Sequence, residues 1–425
     1  MRAQNNRQLV RSQRGDFAFW GLKGVERLST STRIVSPQTT LRYAKAWVKL
    51  ARIHAVSDIT AMDRLGVPIF VSERLQSATG AYAFGKGCLP IESEVGAYME
   101  AIESYFSEPG VAQVETRWGW PSELSGLGGG CDPIFEFAPK FDRRADPNQA
   151  LLLARAQDVE SGAEGWIPAE LAFNPAPDVG TPLYGSSSNG LASGNTVLEA
   201  SIHALYELIE RDIWSIEFVR NRSARVTGDG LPGEVHNIVE TAARNGLRLV
   251  IRYVPNDYGI PFFAAFLFDP NNLESRFFNG GWGCHHERRI ALTRAVTEVA
   301  QSRLAFLHGG REPERWDDPR AEADRVEQQI GTASSKTPCI RFEDIPERPV
   351  AADPLAAQWA AAVDCLRRVI DRPIYRVIYT PPEGPLHVVR LVVPLLEHFS
   401  RSTMRIGPRM QAELEAHTNE IEEIA

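Results

Sequence analysis

The sequence predicts an α+β fold with a pseudo-symmetric arrangement of sheets and helices. Apolar runs rich in β-branched and aromatic residues alternate with segments whose apolar residues have helical spacing. A glycine-containing stretch leading into a helix with a Glu-x-x-Glu pair occurs at 85–103 and again at 185–210, which indicates a duplicated architecture. The length of 425 residues leaves open whether two halves pack together or one large domain carries an insertion.

Composition is that of an ordinary globular protein and excludes several classes. Hydrophobic residues make up 43% of the chain, and the net charge of -8 argues against a general nucleic-acid-binding protein. The five cysteines include no CxxC pair, so we expect neither a disulfide framework nor a structural zinc site. No apolar signal-peptide region and no run of about 18 apolar residues occurs. We therefore expect a cytoplasmic protein without a membrane span.

The first half is expected to begin with a polar arm over residues 1–32. Ser36-Pro37 then opens a helical pattern, because serine caps helices and proline suits their first turn. The elements predicted for this half are a helix within 34–54, a strand at 67–75, a glycine loop feeding a helix over 85–106, and a loop insertion at 107–147 that contains GLGGG at 126–130.

The second half begins with the loop SSSNGLASGN, which runs directly into a helix within 184–214. The helix at 288–312 is expected to end at Gly309-Gly310. The charged segment 312–345 is expected to be peripheral, and the chain ends polar and acidic. The strands predicted for this half are 247–255, 260–269, 372–380 and 386–394.

One face of the 184–214 helix concentrates acidic residues. At about 100° per residue, Glu199, Glu207 and Glu210 lie at roughly 0°, 80° and 20° around the axis, with His203 among them. Like charges at these spacings repel, so a cation should offset them. A divalent metal or an arginine cluster is the natural candidate.

Three helices carry an acid or amide pair at i, i+3, which places both side chains on one face. The pairs are Glu100/Glu103, Glu207/Glu210 and Glu298/Gln301. A single Glu-x-x-Glu pair is most often a solvated helix face. If the three helices face one cleft, however, the crowded carboxylates require divalent cations, and oxygen ligands favour Mg²⁺. Magnesium held by few carboxylates generally shares phosphate oxygens, which indicates a nucleotide.

Basic residues near these acids are suited to phosphate oxygens. They include Arg211, Arg303 and Arg311, with Arg33 and Lys86 nearer the N-terminus. The alternative for Arg211 is a surface ion pair with Asp212 or Glu207. The loop SSSNGLASGN could offer backbone N–H groups to an anion, but it lacks the lysine spacing of a P-loop.

Other residues are weaker candidates for a metal site or a catalytic nucleophile. A metal role for His285-His286-Glu287 is disfavoured, because adjacent residues should point apart and no partner ligand has metal spacing. Cys88 and Cys284 lack an identifiable histidine partner for nucleophilic catalysis.

The chain resembles the YcaO family from about residue 33 to residue 395, with the motifs in the family's order. The pieces that carry the resemblance are TRIVSPQTTL, MDRLGVPIF, GKG followed by MEAIESY, the run SNGLASGNT…HALYELIERD at 188–212, and RAVTEVAQSRL. The resemblance implies one YcaO domain over 33–425, with pseudo-symmetric mixed sheets and helices around a cleft for ATP and Mg²⁺.

Members of the family activate a peptide backbone amide, and the resemblance implies the same reaction here. A nucleophile adds to the carbonyl, the oxyanion attacks the γ-phosphate of ATP, ADP leaves, and phosphate then leaves from carbon. We expect sulfide as the nucleophile, giving a thioamide in a ribosomally synthesised peptide or protein. One alternative is azoline formation in a peptide natural product pathway, although the end NEIEEIA lacks the Pro-x-Pro-x-Pro tail common in azoline-forming members. Another is a non-catalytic nucleotide-binding accessory protein, for example for ribosomal protein methylthiolation.

The resemblance also assigns residues. Those implied to hold Mg²⁺ and phosphates are Glu100, Glu103, Glu199, Glu207 and Glu210, and those implied to contact the nucleotide are Arg33, Thr40, Gln301, Arg303 and Arg311. Two positions depart from the family: Gly96 stands where a serine is often found, and Ser104 where an arginine usually follows the glutamate pair.

The partners implied are a peptide or protein substrate and a TfuA-like protein. We expect a stand-alone member without a fused leader-peptide-binding domain, in the form of a homodimer. No nucleic acid and no membrane partner is expected.

Overall fold

The computed structural model describes residues 26–124, 132–143, 146, 148–228, 230–312, 318–348, 350, 355–400 and 403–424. Its strands are β1 (Glu26–Arg27), β2 (Thr32–Arg33), β3 (Ala55–Asp58), β4 (Ile69–Glu73), β5 (Tyr82–Lys86), β6 (Thr116–Gly119), β7 (Leu151–Asp158), β8 (Glu164–Pro168), β9 (Leu191–Gly194), β10 (Ala224–Thr227), β11 (Arg248–Tyr253), β12 (Phe262–Phe268), β13 (Phe278–Cys284), β14 (Cys339–Arg341), β15 (Tyr375–Ile378) and β16 (His387–Val392). Its helices are α1 (Pro37–Ala46), α2 (Pro90–Ser107), α3 (Ala169–Ala172), α4 (Val197–Arg220), α5 (Gly233–Arg244), α6 (Arg288–Leu307), α7 (Pro319–Ser334), α8 (Leu355–Arg367) and α9 (Pro408–Ile424).

The strands form four sheets. One has five strands in the order β13-β12-β11-β10-β14, and another runs β6-β7-β15-β16-β9 with β8 also paired to β7. A three-stranded sheet β3-β4-β5 and the short β1-β2 pair complete the set. The expected α+β fold is therefore confirmed, and the strand pairs β11/β12 and β15/β16 are antiparallel neighbours. Among the described residues, no helix combines the length and apolar character needed to cross a membrane.

Three long helices of the described chain follow closely after a strand, as β5–α2, β9–α4 and β13–α6. Each helix packs against its own strand, which requires glycine where the two backbones approach. A Cβ at Gly85 would lie 1.9 Å from the carbonyl oxygen of Ser93, and one at Gly283 would lie 2.0 Å from that of Ala291. The glycine-then-glutamate repeat in the sequence corresponds to the first two of these units.

Gly85→Ala is expected to lower the free energy of unfolding by about 1–3 kcal/mol, because the added methyl overpacks a backbone contact. The matched control is Gly110→Ala, since a Cβ there meets nothing within 4 Å. Denaturant unfolding of both variants measures the difference. Equal stability of the two variants would contradict the close-packing explanation.

Several expected boundaries differ from the structure. Helix α1 ends at Ala46 rather than near 54, although Trp47 and Ala51 in the following turns are still buried, which explains the continued apolar spacing. Gly85 and Lys86 belong to strand β5 rather than to a loop. The end of the polar arm pairs as β1 with β2.

Elements of the sheets occur in the segment expected to be a loop insertion and in the segment expected to be peripheral. Strand β6, within the expected insertion 107–147, forms the edge of the sheet beside β7. The charged segment 312–345 supplies α7 and strand β14, which pairs in parallel with β10. The expected GLGGG loop at 126–130 lies outside the described residues.

Candidate active site

A cavity of about 650 Å³ lies where α2, α4 and α6 face one another. The glutamates that line it are Glu92, Glu100, Glu103, Glu199, Glu207, Glu210 and Glu298. The basic residues that line it are Arg33, Lys86, Arg211, Arg294 and Arg311. The structure therefore brings together the three helix faces that the i, i+3 pairs indicated. Thr40 and Gln301 also line the cavity.

Arg303 is the one assigned nucleotide contact that does not line this cavity. Its Nε donates to Asp63 at 3.1 Å, and its guanidinium lies 5.8 Å from the ring centroid of Phe277. The reason is helical geometry, because residues two apart, such as Gln301 and Arg303, do not share a face.

The two glutamates of α2 lie in a buried environment that favours their neutral forms. Glu100 accepts from the backbone N–H of Phe84 at 3.3 Å and faces the side-chain amide of Gln301. Glu103 accepts from the Ser193 hydroxyl at 2.5 Å. Burial raises the pKa of Glu100 and raises the pKa of Glu103 to about 8.

Glu199 accepts more hydrogen bonds from described residues than the other assigned glutamates do. It accepts from Arg33 Nη1 at 3.0 Å and from the backbone N–H groups of Ile34 at 2.9 Å and Asn195 at 3.0 Å. Glu199 thus ties the segment after β2 to the start of α4 and fixes Arg33 at the cavity wall.

Glu207 has no hydrogen bond or ion pair to any described residue. Burial raises its pKa to about 7. Glu210, on the same face of α4, accepts from the backbone N–H of Cys284 at 3.0 Å and lies 3.9 Å from a guanidinium nitrogen of Arg294. Burial raises the pKa of Glu210 as well. These two carboxylates are therefore available to a bound cation.

Glu298 joins the site although the family resemblance did not assign it. It forms an ion pair with Lys86 and accepts from the backbone N–H of Trp282 at 3.4 Å. Burial acts to raise its pKa, but Lys86 and Arg211 outweigh burial and hold the pKa well below its usual range. The i, i+3 pattern with Gln301 was the signal in the sequence.

Arg294 is the residue that sequence reasoning missed. It lines the cavity on α6, four residues before Glu298, so helical spacing could have identified it. Its Nη1 lies 3.4 Å from Nδ1 of His203. Burial and the Arg294 charge lower the pKa of His203 well below its usual value, so this imidazole is neutral.

Part of the loop expected to bind an anion before α4 is a strand, and some of its backbone donors are already used. Residues 191–194 of the presumed loop form strand β9. The Thr196 hydroxyl caps the N–H of Glu199, and the N–H of Asn195 is bound by the Glu199 carboxylate. These two backbone donors are therefore satisfied by side chains of the same segment.

Arg211 faces the cavity, whereas Asp212 points away from it. A guanidinium nitrogen of Arg211 lies 3.9 Å from both Glu210 and Glu298, and the group stands 5.4 Å from the ring centroid of Trp282. Asp212 is completely buried and is bonded to Arg409. The alternative of a surface Arg211–Asp212 pair is therefore wrong.

The side chains of His285, His286 and Glu287 lie closer together than expected for adjacent residues. The two imidazole rings stack with centroids 4.1 Å apart. However, His285 Nδ1 accepts from the N–H of Glu287 at 3.1 Å, so its neutral ring carries the proton on Nε2 and offers no free lone pair. The arrangement does not favour a metal site.

The cavity suits an anion carried with divalent cations. Carboxylate oxygens are ligands that Mg²⁺ prefers. Arg294 Nε, Asn195 Nδ2 and Trp282 Nε1 are buried donors without a partner among the described residues, and all three residues line the same cavity. Oxygen ligands and unsatisfied donors thus fit a nucleotide with Mg²⁺.

The affinity for Mg²⁺ with nucleotide is expected to fall at least about tenfold between about pH 8 and about pH 6. Glu103 and Glu207 have raised pKa values, so lowering the pH protonates them, and protons then compete with the metal. Calorimetry in buffers of different ionisation enthalpy measures the affinity and the protons released. Binding that is independent of pH and releases no proton would contradict this assignment.

Comparison with known proteins agrees with this geometry. A family model described as YcaO cyclodehydratase, ATP- and Mg²⁺-binding, matches residues 84–397. The chain belongs to the YcaO family. ATP and Mg²⁺ are therefore the cofactors of this YcaO protein.

Two relatives resemble this YcaO protein over nearly their whole length. An uncharacterised protein of Methanothermobacter thermautotrophicus is 30% identical, over 89% of this chain and 99% of its own. An uncharacterised protein in the tfuA 3' region of Rhizobium leguminosarum bv. trifolii is 28% identical, over 89% of this chain and 91% of its own.

Two solved structures share the fold. YcaO from Methanopyrus kandleri, bound with AMPPCP and Mg²⁺, superposes with a TM-score of 0.70 at 22% identity, over 89% of this chain and 96% of that one. A heterocyclase in complex with substrate and cofactor gives a TM-score of 0.69 at 20% identity. This chain spans 56% of that heterocyclase.

Proposed function

We propose that this YcaO protein activates a backbone amide of a peptide or protein by ATP-dependent O-phosphorylation, and that sulfide then yields a thioamide. The observation that carries the proposal is the cluster of Glu100, Glu103, Glu207 and Glu210, whose pKa values are all raised by burial around one cavity. Such carboxylates are stabilised by binding divalent cations, which ATP brings to the site.

The reaction balances without a redox partner. Hydrosulfide adds to the amide carbon, and the carbonyl oxygen becomes an oxyanion. That oxygen takes the γ-phosphoryl group of ATP, and ADP leaves. The S–H proton is then lost to solvent, phosphate departs with the former amide oxygen, and the nitrogen-bearing carbon keeps the sulfur as a thioamide. Phosphorylation is needed because an oxide is a poor leaving group and a phosphate is a good one.

Some residues of the cavity would bind Mg²⁺ or phosphate, and others position the residues that do so. Glu100, Glu103, Glu207 and Glu210 would hold Mg²⁺, with Glu298 beside them. Arg294 and Lys86 would face phosphate oxygens, with Arg33, Thr40, Gln301 and Arg311 on the same walls. Glu199 positions Arg33 through their 3.0 Å ion pair. Positioning and charge stabilisation supply most of the barrier reduction in phosphoryl transfer.

The relative in the tfuA 3' region supports a TfuA-like partner for this chain. The family resemblance implies that members with such a partner form thioamides, which favours that product. Azoline formation is the second candidate, supported by the family description as cyclodehydratase and by the likeness to a heterocyclase. In that case a Cys, Ser or Thr side chain of the substrate replaces hydrosulfide, and the same phosphorylation follows.

The test uses candidate peptides with heavy oxygen in their backbone carbonyls, incubated with the protein, a TfuA-like partner, ATP, Mg²⁺ and sulfide. We expect heavy oxygen to appear in the released phosphate and sulfur to replace oxygen in the peptide. Loss of water from the peptide instead would establish azoline formation. Phosphate without heavy oxygen would reject O-phosphorylation, and absence of ATP turnover would support the accessory role.

A further inference from the structure

A surface of aromatic side chains leads away from the cavity along α4 and one face of β12 and β13. It consists of Trp214, Phe218, Phe266, Phe278 and Trp282. The ring centroids of Trp214 and Trp282 are 5.4 Å apart, those of Trp214 and Phe266 are 6.2 Å apart, and those of Phe266 and Phe278 are 5.8 Å apart. Phe218 follows Trp214 by one helical turn and is 53% exposed. Trp282 also lines the cavity, so the surface is continuous with it.

Beside this surface runs the outer edge of β13, the end strand of its five-stranded sheet. The backbone N–H groups of Trp282 and Cys284 point away from β12 and donate to the cavity carboxylates of Glu298 and Glu210. Because N–H directions alternate in an antiparallel strand, those of Gly280 and Phe278 point to the same side. No described strand pairs with this edge. At Trp282 and Cys284 these donors are already used, so the part of the edge open to a new strand runs from Phe278 to Gly280, just outside the cavity.

We propose that the peptide substrate binds as an added strand along the edge of β13, with alternate side chains on the aromatic surface and the reacting amide in the cavity. This inference rests on the proposed function. Backbone pairing gives affinity independent of sequence, and alternate side chains give specificity. Phe278 and Trp282 lie on the same face of β13, because side chains an even number of residues apart in a strand share a face. The preferred substrate thus has apolar or aromatic side chains at alternate positions.

Continuity with the cavity favours a substrate peptide over a second copy of the chain. The guanidinium of Arg211, a cavity residue, stands over the Trp282 ring. Further along the same edge, the N–H groups of Trp282 and Cys284 are hydrogen-bonded to Glu298 and Glu210, which line the cavity. A peptide paired with Phe278 and Gly280 is therefore directed along the edge toward the cavity.

The probe is a short fluorescent peptide that alternates phenylalanine and threonine, added with ATP and Mg²⁺. Two further versions carry N-methyl groups on the amides of one edge or the other. We expect the parent peptide to bind and one methylated version to lose binding, because N-methylation removes the donors of a strand edge. Phe218→Ser is expected to weaken binding roughly tenfold or more, the affinity that burial of one phenyl group supplies.

Trp118→Ser is the matched control, since Trp118 is a 60% exposed aromatic on β6 and should not affect the probe. Failure of the parent peptide to bind, indifference to both methylation patterns, or equal affinity of the Phe218 and Trp118 variants would overturn the proposal. So would a Phe218→Ser variant that changes only the oligomeric state. ATP binding is measured on the same samples, so the inference can fail while the proposed function stands.

Discussion

Replacement of Glu207 by glutamine is expected to abolish Mg²⁺-dependent ATP turnover, with a loss of about 10³-fold or more, the scale seen when a charge-stabilising group is removed. Glutamine has the same shape but no charge to offer a cation. Glu207 has no described protein partner, so its replacement breaks no hydrogen bond of the fold. Steady-state ATP hydrolysis with partner and substrate measures the loss.

The same variant is expected to be more stable than the native protein at about pH 8 without metal, by about 1–3 kcal/mol. The pKa of Glu207 is raised to about 7 from an ordinary value of 4.5. A raised carboxyl pKa means that the folded state prefers the protonated form. The protonated Glu207 carboxyl contributes its full stability to the fold below about pH 4.5, and this contribution is lost as the pH rises through about 7. Glutamine cannot ionise and therefore avoids that loss. Thermal unfolding at about pH 5 and about pH 8 separates the two regimes.

Glu240→Gln is the control, because Glu240 is an exposed glutamate on α5. It should change neither turnover nor stability. Full ATP turnover in a folded Glu207→Gln protein would remove Glu207 from the magnesium site. Native stability at the higher pH would contradict the desolvated environment deduced for this carboxylate.

The elements that were predictable from sequence are those whose local pattern agrees with their packing. Strand β12 is a continuous apolar run, strand β11 has apolar or aromatic residues at four of its six positions, and both were expected. Strand β13 was missed because its sequence FNGGWGC contains three glycines, which have poor strand propensity. Two of them, Gly281 and Gly283, are required by the close approach of α6, since a Cβ at Gly281 would lie 2.3 Å from the backbone nitrogen of Val299. A contact between segments that are distant in the sequence leaves no trace in the local spacing of residues, so this strand could not be predicted.

In the candidate site, too, local spacing predicted some features and could not predict contacts between distant segments. Helical spacing placed Glu207 and Glu210 on one face, and both line the cavity. Spacing could not reveal the pairing of Lys86 with Glu298, because those residues are 212 positions apart. Nor could it distinguish Glu199, whose oxygens are occupied by Arg33 and backbone donors, from its neighbours on the helix.

Asp212→Ala is expected to lower the free energy of unfolding by about 3–5 kcal/mol, the cost of leaving a buried ionic partner uncompensated. Asp212 is completely buried and accepts from the Tyr258 hydroxyl at 2.6 Å, the backbone N–H of Glu397 at 2.7 Å and Arg409 Nη1 at 2.5 Å. Removal of the carboxylate leaves all three donors unpaired. Denaturant unfolding measures the loss of stability. Asp212 lies only two residues from Glu210, so the two variants compare neighbouring positions of one helix.

The control at the same helix contact is Glu413→Gln, which removes the partly exposed partner of Arg220 and should cost about 1 kcal/mol or less. The acidic run of α4 therefore has two separate roles. Glu210 faces the cavity, so Glu210→Gln should lose turnover and keep stability, whereas Asp212 faces the C-terminal segment and its loss should unfold the protein first. An Asp212→Ala protein with native stability and no turnover would mean that Asp212 serves the reaction rather than the fold.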